Sequence, residues 1–456
     1  MQFLENIIAN LWNRLVLASK PKLKGGLKLG TLVVDGRPSK KPYFLPQTRR
    51  SEHLVTLGKT GSGKSFLLRH LCLCDIKAGR GFLYFDHHGD AIPFLLSAMA
   101  AEERQTGKDF ASRLVVLEPG NLEWAVGLNP MAVQGEQQTF IQIVAVTAIL
   151  KERWGLEHFG ARTEELLRNS LFVLAANRLT LVEFPALLSN QAFRIQCLKK
   201  VSNTDVREYF ESRFEPMSDA MKAVMRDPIL NKLSEFISDP HFKYILGQTE
   251  STFSFDDVLN KNQIVLVDLS KGKLGRHSST LGTLILSHVR PAIFSRKSRE
   301  LFTVYADEVQ NLLTADTDFD VYFSEARKFA VSITTANQFL DQFPKRMRAA
   351  IQAIGTHILF QLSPPDAQEI AGALDGGKPL AELLKNLPQR EFVVRSGSYG
   401  WKHVQAPRVE TLPTDFSGLL KRSRQLYARP RLEVEEQILA RRPQAESTKE
   451  VLDAWE

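Results

Sequence analysis

His53-Leu54-Val55-Thr56-Leu57-Gly58-Lys59-Thr60-Gly61-Ser62-Gly63-Lys64-Ser65 runs from a short apolar, β-branched stretch straight into the pattern G-x-x-x-x-G-K-[ST]. Phe66 to Ala78 follow with helical composition, which sets the loop between a strand and a helix N-terminus. There, glycines let backbone N–H groups turn inward around phosphates, and the helix end adds partial positive charge. Gly58, Lys59, Thr60, Gly61, Ser62, Gly63, Lys64, Ser65 and the adjoining Phe66 are therefore the expected nucleotide contacts. Lys64 is expected to neutralise β- and γ-phosphate oxygens, and Ser65 to offer its hydroxyl to Mg²⁺, so ATP and Mg²⁺ are the implied ligands.

A Mg²⁺-binding carboxylate should end a second buried strand, and Phe302-Thr303-Val304-Tyr305-Ala306-Asp307-Glu308 has that form. Asp307 is expected to hold the metal through water. Glu308 is expected to act as the base that aligns the attacking water. Further runs at 82–86, 114–117, 264–269, 331–335, 357–362 and 392–395 are continuously apolar, as strands buried on both faces are. Helical stretches alternate with them, which predicts an α/β fold: a RecA-like P-loop core with a mainly parallel sheet. Residues from about 135 to 247 lack such runs and carry helical periodicities, among them Phe140, Ile143, Val144, Thr147 and Leu150, and then Leu166, Leu167, Leu171 and Leu174. An all-α domain inserted into the core is expected there. The resulting division is an amphipathic helix at 1–20, a basic leader with short strands at 21–50, core at 51–134 and 248–412, and a polar tail at 413–456.

Size and composition exclude several classes. A chain of 456 residues with 43% hydrophobic residues is long enough for a sizeable core. Three scattered cysteines, Cys72, Cys74 and Cys197, form neither a disulfide framework nor a zinc pattern, which fits a reducing compartment. No window holds the roughly 18 or more apolar residues of a membrane span. Residues 1–50 contain ten Lys/Arg against Glu5 and Asp35, so the leader's excess equals the net charge of +8 of the whole chain. Such a leader suits phosphates, anionic lipid or an acidic partner, or is simply a solvated surface. Leu4, Ile8, Leu11 and Leu15 share a helical face that rests on a membrane, on a partner or on the protein itself. The expected localisation is cytoplasmic, with peripheral contact at the inner face of the cell membrane through residues 1–20 left open.

Phe85-Asp86-His87-His88-Gly89-Asp90, Gly127-Leu128-Asn129-Pro130, Leu266-Val267-Asp268-Leu269-Ser270-Lys271-Gly272-Lys273-Leu274-Gly275 and Ser324-Glu325-Ala326-Arg327-Lys328 together resemble the HerA/FtsK superfamily. Within it, the chain is most similar to the cytoplasmic ATPase part of conjugative coupling proteins of type IV secretion, the TraG/TraD-like group. The resemblance spans about residues 45–410 and implies a homo-hexameric ring that drives DNA through a central channel. Gln338 matches the polar residue that senses the γ-phosphate. Arg327 matches the position from which a neighbouring subunit offers a cation, although it also reads as an ordinary surface arginine. His87 stands where the family usually has proline. Asp86 and Asp90 read equally as tuning residues and as parts of a turn.

Non-sequence-specific DNA contact needs basic side chains facing the channel. Lys271, Lys273 and Arg276 form one such cluster after a strand, and Lys345, Arg346 and Arg348 another; either is also readable as solvated surface. A secretion channel, a relaxase or a nuclease are the partner classes that the resemblance brings. Coupling proteins usually begin with membrane-spanning helices, and the amphipathic stretch here puts channel anchoring in question. Two other readings share the same nucleotide chemistry: a type IV secretion assembly ATPase that moves protein, and an ATP-dependent docking module for a DNA-processing or anti-phage effector.

Overall fold

The computed structural model describes residues 25–443 apart from 134, 315–322, 324, 344, 398 and 410–412. The amphipathic stretch 1–20, Ser324 and the end of the tail lie outside the described residues. The chain divides into two compact units, one of residues 1–117 and 254–426, the other of residues 118–253 and 427–456.

The first unit is built on an 11-stranded sheet. Its strands, in chain order, are β1 (Gly26–Val34), β2 (Arg37–Pro46), β3 (Leu54–Leu57), β4 (Phe82–Asp86), β5 (Leu114–Leu117), β6 (Ile264–Asp268), β7 (Phe302–Asp307), β8 (Val331–Asn337), β9 (Thr356–Leu359), β10 (Glu391–Ser396) and β11 (Tyr399–Gln405). They lie in the spatial order β2-β1-β11-β10-β9-β3-β8-β7-β4-β6-β5. From β9 to β5 every pairing is parallel, while β10, β11, β1 and β2 extend the sheet antiparallel. Strands β3 to β7 are buried at every position, as a parallel sheet covered on both faces requires.

Helix α1 (Lys64–Lys77) follows β3 and turns Leu67, Leu68, Leu71, Cys72 and Ile76 into the core. Helix α2 (Ala91–Thr106) follows β4 and buries Ile92, Leu95, Leu96 and Met99. Removing each such leucine or isoleucine from water contributes about 1.5–3 kcal/mol. The long helix α3 (His277–Phe294) covers the sheet after β6 with Leu281, Leu284, Ile285 and Val289.

A charged pair is buried among the apolar residues of this unit. Arg50, just ahead of β3, grips Asp75 on α1 through two hydrogen bonds of 2.8 and 2.7 Å, and both side chains are wholly shielded from solvent. Tyr305 and Thr303 of β7 also accept from the guanidinium, and the Tyr305 hydroxyl donates to Asp75. Burial pushes the Asp75 carboxyl up, but the Arg50 guanidinium outweighs it and holds the group below the ordinary carboxylate range.

The second unit is mainly helical, with its longest helices at Glu136–Arg153, Ala161–Ala176 and Asp219–Ser238. Leu166, Leu167, Leu171 and Leu174 are buried within it. In the first of these helices Phe140 and Val144 are exposed, and the buried side is instead Ile143, Val146, Thr147 and Leu150. Spacing alone gave Phe140 and Val144 the same helical period as the buried residues. Thr147 hydrogen-bonds its hydroxyl to the Ile143 carbonyl, and Gln142 is buried donating to the Pro130 carbonyl, so these two polar side chains face inward beside the apolar ones. From the far end of the chain, Arg431–Arg441 folds onto this unit and buries Val434 and Ile438 against Tyr244 and Ala125. Among the described residues no helix is long and apolar enough to cross a membrane.

Removing one partner of a buried, hydrogen-bonded ion pair strands the other charge, so Asp75→Ala is expected to cost about 3–5 kcal/mol in chemical denaturation, with Arg50→Met in the same chain recovering part of the loss. A single-variant cost near the ~0–1 kcal/mol of a surface pair would contradict this view.

Candidate nucleotide site

Parallel register brings the chemistry to one edge. Leu57 of β3 pairs with Asn337 of β8, Asp307 of β7 with Ala336 of β8, and Asp86 of β4 with Asp268 of β6. The segments leaving these strands therefore converge at the carboxyl ends, where open α/β sheets bind ligands.

Gly58 to Gly63 form a tight loop between β3 and α1. Gly63 takes φ 117°, a left-handed conformation closed to most side chains, and a Cβ at Gly58 would stand 2.5 Å from that of Phe360. The loop is held from outside: Gly58 N–H donates to the Asn337 carbonyl, Lys59 N–H to Gln361, Arg390 N–H to Ser62, and the Gln389 amide to Gly61. The Lys64 ammonium is buried inside it, donating to the carbonyls of Gly58 (2.5 Å) and Lys59 (3.1 Å). Burial pulls its pKa down, against the attraction of Asp307 and Glu308. Ser65 opens α1 and donates to Asp307 Oδ2 at 3.2 Å. Phe66 is half exposed, its ring beneath the Arg69 guanidinium.

Asp307 ends β7 almost fully buried. Burial pushes its carboxyl up to about 6; Glu308 adds to the shift, and His88, Ser65 and Lys64 oppose it. Glu308 follows in the left-handed region at φ 56°, an uncommon conformation for a residue with a Cβ and one that clusters at functional sites. Gln338, just past β8, joins the two halves of the edge. Its amide nitrogen donates to Glu308 Oε1 at 2.8 Å, and its oxygen accepts from the Thr60 hydroxyl at 2.9 Å. Asn311 donates to Glu308 Oε2 at 3.3 Å, and His88 Nε2 lies 3.9 Å from Oε1.

Lys64, Ser65, Asp307, Glu308, Gln338 and Thr60 thus meet at one edge, although the sequence separates them by up to 278 positions. Arg327 does not join them. It lies exposed on the turn Ala326–Phe329 before β8, at the opposite edge of the sheet; seven residues of β8 at ~3.3 Å each put it roughly 20 Å from its own loop. Lys271 and Lys273 lie on a one-turn helix, Lys271–Leu274, rather than on an open loop, and Arg276 immediately precedes α3. The reason is local: Lys273, Leu274 and Gly275 N–H groups close back on Ser270 and Lys271 carbonyls. Arg348 pairs with Asp341 at 2.5 Å.

Asp86 belongs to the turn. Its two oxygens accept the backbone N–H groups of His88, Gly89, Ala91 and Ile92, which ties the segment after β4 to the start of α2. Asp90 pairs with Arg69. His87 is buried with neither ring nitrogen in a well-formed hydrogen bond among the described residues, and burial, with Lys271 nearby, drops its pKa to about 4 against a weak backbone contact at Leu269, so the ring is neutral. Sequence reasoning missed Asn311, Gln389 and Arg390. Asn311 carried a weak signal, since an asparagine three residues past the acidic pair reaches back within a single turn. Gln389 and Arg390 carried none.

Residues 28–289 match the family model of the helicase HerA central domain. The chain belongs to the HerA helicase family. It is accordingly a P-loop ATPase, and membership implies ATP and Mg²⁺ as its ligands. Among solved structures, the bacterial conjugative coupling protein TrwBdeltaN70 aligns at 14% identity over 86% of this chain and 97% of that one, with a TM-score of 0.58. VirB4 of Thermoanaerobacter pseudethanolicus aligns at 14% identity, over 86% and 98%, with a TM-score of 0.56. The plasmid coupling protein TrwB in complex with ADP and Mg²⁺ aligns at 16%, over 86% and 96%, with 0.54. At these identities the likeness is one of fold. A comparison with curated proteins finds no match.

The residues present fit a divalent cation. A buried carboxyl pushed toward neutrality and facing a serine hydroxyl is a group short of positive charge. An acid with a raised folded-state pKa stabilises the fold below the ordinary carboxylate range and loses that contribution as pH rises through about 6. Asp307→Asn is therefore expected to raise the Tm of the nucleotide-free, metal-free protein at neutral pH, with the advantage closing below about pH 4. Calorimetry across that range checks it, and a neutral-pH Tm at or below wild type would rule it out.

Proposed function

We propose that this protein is an ATP-hydrolysing DNA translocase of the HerA/FtsK type, working as a hexameric ring in DNA transfer. The observation that carries the ATPase half is the meeting of Lys64, Ser65, Asp307, Glu308 and Gln338 at one sheet edge. In this reading Gly58 to Ser65 wrap the phosphates with backbone N–H groups, and Lys64 leaves its own loop's carbonyls for the β/γ oxygens. Ser65 and Asp307 would hold Mg²⁺, which when bound would neutralise charge on the phosphate oxygens. Glu308 takes up a proton from the attacking water and fixes its direction. Gln338, already bridging Thr60 and Glu308, reads whether the γ-phosphate is present and passes that to β8.

Arg327 supports the ring. It is remote from its own loop, exposed, and makes no ion pair among the described residues, so its guanidinium is available to a neighbour's phosphate. Lys271, Lys273 and Arg276 follow β6 at the edge that holds the nucleotide, a placement that suits contact with a DNA backbone through charge rather than base edges. The match of residues 28–289 to the helicase HerA central domain is what favours DNA over protein as cargo. A secretion channel, relaxase or nuclease is the matching partner class.

Turnover of ATP is expected to rise several-fold with DNA and to lose this response at high salt. Lys64→Ala should abolish Mg·ATP binding in calorimetry. Glu308→Gln should retain binding while lowering kcat by about 10²–10⁴-fold. Turnover indifferent to DNA would sink the translocase reading, and full turnover in Glu308→Gln would sink the assignment of the base.

A further inference from the structure

The carboxylate of Glu308 is held from two sides by side-chain amides. Gln338 donates to Oε1; Asn311 donates both to Oε2 (3.3 Å) and to the Glu308 carbonyl (3.1 Å), and Gln310 adds a longer bond to Oε2 at 3.5 Å. The Asn311 backbone N–H adds a bond to the same carbonyl at 3.0 Å. Beyond Asn311 stands Lys271, whose ammonium donates to Asn311 Oδ1 at 3.0 Å. An amide presents opposite polarity at its two ends. With the ammonium on its oxygen, the Asn311 side chain must turn its NH₂ to Glu308; the flipped orientation would set oxygen against carboxylate and NH₂ against ammonium. Lys271 thus reinforces the orientation of Asn311 that the two Glu308 acceptors favour.

The lysine is exposed, whereas Asn311 and Glu308 are partly buried. Its helical-turn neighbour Lys273 is matched by Asp268 at 2.9 Å, but Lys271 meets no carboxylate among the described residues and rests on a neutral acceptor. A phosphodiester oxygen carries a formal negative charge that the Asn311 oxygen lacks, so a nucleic-acid backbone arriving here attracts the ammonium more strongly and draws it away.

We propose that Asn311 is a positioning residue that restrains Glu308 and that Lys271 strengthens the restraint, so that phosphate taken up by Lys271 loosens Asn311 and leaves Glu308 Oε2 only the longer Gln310 bond, opening it to the attacking water. DNA contact and hydrolysis are then joined through two side chains within one subunit. This rests on the reading of Glu308 as the base.

The test is steady-state ATP turnover of the full chain with and without saturating duplex oligonucleotide, with DNA binding followed by fluorescence anisotropy. Lys271→Met and Asn311→Ala are each expected to raise kcat without DNA several-fold, leave KM for ATP at the wild-type value and bring the DNA stimulation ratio close to unity. Asn311→Ala keeps the lysine, so loss of stimulation in it cannot come from a lost phosphate contact. A wild-type stimulation ratio in Asn311→Ala, or a fall in its DNA-free kcat, overturns the proposal. So does loss of stimulation in Lys271→Met with DNA-free kcat unchanged, which makes the lysine a phosphate contact alone. Wild-type protein that ignores DNA removes the translocase reading and this inference together, whereas wild-type protein that responds while both variants respond equally removes the inference alone.

Discussion

The buried pair of Arg50 and Asp75 sets the frame on which the site depends. Arg50 precedes the strand that delivers the phosphate loop, Asp75 lies three turns along the helix that leaves it, and Tyr305 and Thr303 belong to the strand that ends in Asp307. The Ser332 hydroxyl closes the set by donating to the Arg50 carbonyl from β8, the strand that delivers Gln338. A charge pair without solvent gains little net stability over an apolar pair of equal volume, because desolvation offsets most of the Coulomb attraction. Its directional bonds do what apolar packing cannot: they allow one register between the loop helix and the acidic strand.

At the opposite edge of the same sheet, polar groups are crowded and only partly compensated. Lys64 is buried on its own loop's carbonyls, Asp307 is pushed toward neutrality, and Glu308 holds a left-handed backbone. Each of these features costs stability in the nucleotide-free protein. Phosphate and a divalent cation supply the charges that this edge lacks. The rigid frame and the strained edge are therefore complementary, since misplaced groups would relax if the strands carrying them were free to shift.

Glu308 sits where two kinds of information arrive. Through Gln338 and Thr60 it is in hydrogen-bond continuity with the phosphate loop, and through Asn311 with a basic turn after β6. Arg327, on the far edge, belongs to neither path within its own chain. A site built in this way gathers Lys64, Ser65, Asp307, Glu308 and Gln338 from one chain and leaves Arg327 outside it.

The phosphate loop, the acidic pair and the alternation of strands with helices were readable directly from the residues, because each is encoded by neighbours. Glycines at fixed offsets set local torsions, and unbroken apolar runs report burial on both faces. Asp86 was ambiguous for the opposite reason, since whether a carboxylate caps a turn or faces a metal depends on where four backbone N–H groups point. Phe140 and Val144 satisfied a helical period yet face outward, because a period defines a stripe and not which stripe is covered. What folding alone decided are the contacts between distant segments: Arg390 and Gln389 on the phosphate loop, Thr60 on Gln338, and Lys271 on Asn311. Single side-chain hydrogen bonds leave no periodic trace along a chain, and strand register, which brings these residues together, exists only once the parallel sheet has formed.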